Sequence, residues 1–97
     1  MATQLRRYEI AEGRLDDIAN WFPAIVPVRA KFGFTVEFAY ADSDANEFVW
    51  AVSYPGSVED FEAAVEAYND SPERAELFAG FESPVTAMHL SYVDSAL

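Results

Sequence analysis

Apolar and polar residues change period along the chain in a definite order. Leu5 to Glu12 alternates, with Arg6, Tyr8 and Ile10 on one face and Leu5, Arg7, Glu9 and Ala11 on the other, which predicts a strand ended by Gly13. Leu15, Ile18, Ala19 and Phe22 then fall at helical spacing, with Asp16 and Asp17 in the first turn where carboxylates suit the helix dipole. Pro23 and Pro27 are expected to kink or break that helix, and Gly33 is a candidate C-terminal cap. Alternation resumes from Phe34 to Ala41 and again from Glu47 to Tyr54, separated by the turn-forming run Asp42-Ser43-Asp44-Ala45-Asn46, so a hairpin is predicted, closed by Pro55-Gly56. Ser57 opens a second helix with a capping-box pattern completed by Asp60, and Phe61, Ala64, Val65 and Tyr68 form its stripe. Ser71-Pro72 caps a short third helix with Ala75, Leu77 and Phe78 inward, bounded by Gly80 and Pro84. Val85 to Val93 is the last strand, and Asp94 to Leu97 reads as a frayed tail.

The order strand, helix, strand, strand, helix, strand, joined by right-handed crossovers, predicts an α+β fold: a ferredoxin-like βαββαβ plait with a four-stranded antiparallel sheet and its helices on one face. Every strand carries apolar residues on both alternating sets, whereas a sheet with one solvated face should alternate cleanly. Nothing in the chain remains to cover the second face. Two such sheets packing face to face, as a homodimeric α/β barrel with a partly enclosed interior, are therefore expected.

Composition narrows the partners. The 97 residues form one domain, 1–97, and at 52% apolar they can build a core. Seventeen acids against six Lys and Arg give a formal charge of −11, which argues against nucleic acid and against an anionic membrane surface. Eight of those acids lie between Glu59 and Glu82 and are read as a solvated outer helix face. There is no cysteine, no apolar run long enough to span a bilayer and no apolar stretch of a signal peptide at the N-terminus, so a complete cytoplasmic protein is expected. The sequence has no Gly-rich phosphate loop, no His-x-x-x-His and no nucleophile elbow. Asp42 to Asn46 lacks the Gly and distal Glu of a calcium loop, so no metal is expected.

The chain resembles the NIPSNAP family, within the dimeric α/β-barrel superfamily. The residues that carry the likeness are Leu5-Arg6-Arg7-Tyr8-Glu9-Ile10, Gly13-Arg14-Leu15-Asp16, Trp21, Pro27-Val28-Arg29, Phe32-Gly33-Phe34, Asn46-Glu47-Phe48-Val49-Trp50 and Tyr68-Asn69-Asp70-Ser71-Pro72-Glu73. They span nearly the whole chain and specify fold and family better than chemistry. The wider superfamily includes cofactor-independent monooxygenases of antibiotic biosynthesis, haem-degrading enzymes and polyketide cyclases, and the Tyr68 to Pro72 segment is similar to the helix pair of the monooxygenase branch. His89 is the only histidine and falls on a strand, so haem, like any other cofactor, is not expected.

Polarity decides which strand set faces the expected barrel interior. Val36, Phe38, Tyr40, Phe48, Trp50, Val52, Met88 and Leu90 are apolar enough to meet helices. The other set, with Leu5, Arg7, Glu9, Thr35, Glu37, Ala39, Val49, Ala51, Ser53, Ala87, His89 and Ser91, suits a wet cavity or an interface. On that set His89 carries an imidazole, the side chain suited to proton transfer near neutral pH, and with Glu37 or Glu9 is a candidate general base; the bland alternative is a histidine hydrogen-bonded within the sheet or dimer seam. Arg7 and Glu9 are candidate ligand-binding residues beside Glu37, or members of ion pairs across strands. Arg29 is placed to anchor a carboxylate at a cavity mouth, or to serve as a cation at a helix C-terminus. Trp21, Trp50, Tyr54 and Tyr68 could box a flat ligand or simply fill the core. Three readings follow: a homodimeric barrel binding a small apolar or aromatic molecule in its interior, a monooxygenase- or cyclase-like enzyme using His89, or an interaction protein with a filled barrel.

Overall fold

A computed structural model describes residues 1–97. Its elements run β1 (Ala2–Ile10), α1 (Leu15–Trp21), a 3-10 turn (Phe22–Ala24), α2 (Ile25–Lys31), β2 (Thr35–Asp42), β3 (Glu47–Tyr54), α3 (Val58–Asn69), α4 (Pro72–Phe78) and β4 (Val85–Val93). The strands form one sheet in the order β2-β3-β1-β4 with every neighbour antiparallel, the ferredoxin-like α+β arrangement. The first strand begins three residues earlier than the alternation from Leu5 suggests.

Prolines segment the first helical stretch without ending it. Pro23 sits in the 3-10 turn, and Pro27 falls in the first turn of α2, where a missing N–H leaves no intrahelical bond unmade. Gly33 then turns the chain into β2 with φ +91°, and a Cβ there would lie 2.8 Å from Cε2 of Tyr54. Both the backbone angle and the ring above it demand glycine.

The capping box on α3 is complete. Ser57 Oγ accepts from the Asp60 N–H at 3.2 Å, and the Ser57 N–H donates to Asp60 Oδ2 at 2.9 Å. These bonds from the Ser57 backbone and hydroxyl hold the Asp60 carboxyl below its ordinary value. A carboxylate whose folded pKa is depressed adds stability above its unfolded pKa, and that stability is lost as pH falls through the folded value. Asp60→Asn is therefore expected to lower the melting temperature at neutral pH, with the gap to wild type closing as pH falls below about 4. At α4, Ser71 Oγ accepts from the Arg74 backbone N–H and donates to the Tyr68 carbonyl, which ties the end of α3 to the start of α4.

The helices bury Tyr8, Ile10, Phe48, Trp50 and Val52 of β1 and β3 against Ile18, Phe22, Ile25, Phe61 and Tyr68. Ala75, expected inward, is exposed on α4. Two bulges decide the faces of the remaining strands. Between Val36 and Phe38 the register with β3 shifts by one residue, so Phe38 opposes Ala51 and Tyr40 opposes Val49, while Ala39 opposes Trp50. One extra residue thus reverses the parity of outer β2. Phe38 and Tyr40, expected against the helices, stand on the open face at 39% and 67% exposure, and Ala39, expected opposite them, takes the helix side. A second shift between Glu9 and Ile10 pairs Ile10 with Val85 and brings Val85 to the helix side.

Candidate ligand site

The helical layer is narrower than the sheet. Helices pack on β2 and β3, whereas Met88, Leu90 and Tyr92 on the edge strand β4 face the same side and remain exposed. Between β1, β4 and the helices this leaves a cavity of about 520 Å³, on the helix side of the sheet. The enclosed volume is therefore on the opposite face from the one where a barrel-interior site was expected.

Its floor carries charge in an apolar setting. Arg6 and Tyr8 project from β1 because their even register matches Gln4 and Ile10; Arg6 donates to Tyr8 Oη and to Gln4 Oε1, each at 2.7 Å. Arg29 enters from α2 and is only 5% exposed. Its guanidinium lies 4.2 Å from the centroid of Tyr68, 5.0 Å from that of Phe34 and 5.3 Å from that of Trp50. Arg6 stands 5.1 Å from the same Trp50 ring, so one indole is flanked by two guanidinium groups. No carboxylate pairs with Arg29 or Arg6: the ion pairs of the chain are Arg7–Glu47, Arg14–Asp17, Arg14–Glu82 and His89–Glu9. Burial, against the favourable Tyr68 and with the like charge of Arg6, pulls the Arg29 guanidinium down to about 10. Tyr92, on the cavity wall, is raised by burial and by the Glu62 carboxylate.

The residues singled out from the sequence divide between the two faces. His89, Glu9, Arg7 and Glu37 are on the open face of the sheet, away from the cavity. There His89 Nε2 meets Glu9 Oε2 at 2.6 Å and Arg7 Nη1 donates to Glu47 Oε2 at 2.6 Å, both as exposed cross-strand pairs. Glu37 accepts from Ser53 Oγ on β3. Since β2 and β4 are opposite edges of the sheet, about 14 Å apart at the usual strand spacing, Glu37 and His89 do not meet. Arg29 and Tyr68 line the cavity, as does Trp21 at its rim, stacked on Phe81 at 3.9 Å between ring centroids. Tyr54 does not; its ring packs on Gly33 and Phe34. Arg6, Tyr8 and Arg74 line the cavity but were not among the candidates. The available signal was an Arg and a Tyr at i and i+2 on the strand face meant for helices.

No family model matches the chain, and no curated protein matches it. Solved structures do. An uncharacterized NIPSNAP domain protein from Burkholderia xenovorans is 12% identical, with 99% of this chain and 95% of that one covered and a TM-score of 0.81. A NIPSNAP family protein with unknown function from Agrobacterium tumefaciens is 10% identical over 96% of this chain and 86% of that one, with a TM-score of 0.82. A putative antibiotic biosynthesis monooxygenase from Bacteroides thetaiotaomicron is 19% identical over 99% and 90%, with a TM-score of 0.71. The chain has the fold of NIPSNAP proteins, the one to which its sequence motifs pointed. No helix is long and apolar enough to cross a membrane.

Proposed function

We propose that this chain binds a small, flat, largely apolar molecule between its sheet and its helices. The observation that carries this reading is the cavity of about 520 Å³, which lies in the size range of small-molecule sites and joins aromatic walls to a few polar groups. The putative antibiotic biosynthesis monooxygenase that shares the fold is consistent with small-molecule chemistry in this architecture. Naphthylmethanol is a suitable neutral probe, followed by calorimetry. Leu90→Trp, on the exposed side of β4 where an aromatic residue suits a strand, fills the cavity mouth without touching the core. The expected result is saturable binding to wild type that weakens by about tenfold or more in the variant. Equal binding by both places the ligand elsewhere.

We also propose that a second copy of the chain covers the open sheet face. That face exposes Phe38, Tyr40 and Val93, and most of its polar side chains already have partners within the sheet: Arg7 on Glu47, His89 on Glu9 and Glu37 on the Ser53 hydroxyl. An isologous twofold contact suits such a surface. Sedimentation at micromolar protein should give twice the chain mass for wild type and a single chain mass for Tyr40→Asp. A monomeric, well-folded wild type contradicts the dimer.

A further inference from the structure

Four buried side-chain polar atoms have no hydrogen-bond partner in the chain: Nε and Nη1 of Arg29, Nε1 of Trp50 and Nε of Arg74. All four are N–H donors, and all three residues line the same cavity. Buried polar groups are ordinarily paired, and these guanidinium and indole groups can be satisfied only by an acceptor. Arg29 is 95% removed from solvent and has no carboxylate partner, so its charge is also uncompensated. Arg6 adds positive potential, but its Nε and Nη1 are already donating to Tyr8 and Gln4.

We propose that the ligand is a flat, apolar monocarboxylate whose carboxylate sits on Arg29 and whose body lies along Met88, Leu90 and Tyr92 of β4. This rests on the reading of the cavity as a small-molecule site and specifies its ligand. A carboxylate is an acceptor-only group with about four lone-pair sites, the complement of an all-donor cluster. A single negative charge fits better than several. The chain carries a net charge of −11, and Glu62, Glu66 and Asp70 stand around the cavity, so a polyanion meets repulsion on approach. The apolar body supplies the burial that a small anion alone lacks.

Calorimetric titration near neutral pH with naphthoate and with naphthylmethanol compares one ring system with and without the charge. Wild type should bind naphthoate at least about tenfold more tightly than the alcohol, and Arg29→Met, shown to be folded by its melting transition, should lose that preference. Equal affinity of wild type for both probes, or a preference that survives Arg29→Met, overturns the carboxylate assignment while leaving the cavity as a binding site. Failure of both probes to bind overturns the small-molecule reading itself.

Discussion

Phe48→Asp is expected to yield no folded protein, whereas Phe38→Asp is expected to fold. The two phenylalanines occupy facing strands and similar alternating patterns, but Phe48 is 3% exposed, 4.8 Å from the Phe22 ring centroid, and Phe38 is 39% exposed on the far side of the sheet. Removing a buried phenylalanine side chain costs about 3–5 kcal/mol before any charge is considered. A carboxylate placed there has no partner and adds a desolvation cost of several kcal/mol more. Total stability of a domain this size is about 5–15 kcal/mol, so the sum leaves little or nothing. Asp at 38 meets water in the free chain. Circular dichroism and urea denaturation of the two variants give the answer, and a folded Phe48→Asp would mean that the sheet presents its other face to the helices.

Arg29→Met is expected to make the unliganded protein more stable. The guanidinium is held at about 10, mainly by burial, well below its ordinary value. A depression of that size, already net of the favourable Tyr68, corresponds to roughly 3 kcal/mol of cost for keeping the charge inside, partly returned by contact with the Phe34 and Trp50 rings. The sign follows from linkage. A base whose folded pKa lies below its unfolded one destabilises the fold at every pH below the folded value, and the cost is relieved only as pH rises past about 10. Methionine fills similar space without charge. The expected gain is about 1–3 kcal/mol, and each kcal/mol raises the melting temperature by about 4–8 °C in a domain of this length. A residue that weakens the fold while lining a cavity is the pattern of a site held for binding at the expense of stability. A fall in melting temperature would mean that the aromatic contacts outweigh the buried charge.

Much of the architecture was legible because the periodicities are clean. Ser57 and Asp60 marked the start of α3, Ser71-Pro72 that of α4, and the hairpin turn at Asp42 to Asn46 closes with Asn46 at φ 55° and the Asp42 carboxylate accepting from the Ala45 N–H. The faces of β2 were misread because a bulge shifts register by one residue and leaves no trace in an alternating pattern; Phe38 and Tyr40 look the same in either parity. The cavity on the helix side went unforeseen for a different reason. Alternation tells which side of a strand meets the helices, but not how far across the sheet the helices reach. Met88 and Leu90 face the helix side as expected, yet the helical layer leaves them, with Tyr92, exposed and lining a cavity. Arg29 read as a helix-end cation because sequence position shows the helix terminus and not the aromatic rings that enclose the side chain.

The most direct test of a site on the helix side of the sheet is a two-dimensional amide and side-chain NMR titration with naphthoate, following both faces at once. The account predicts shifts at the indole N–H of Trp50, at Tyr68 and at Leu90, with Ser53 and His89 unmoved. Shifts confined to Glu37, Ser53 and His89 would contradict it and put the binding surface on the open face.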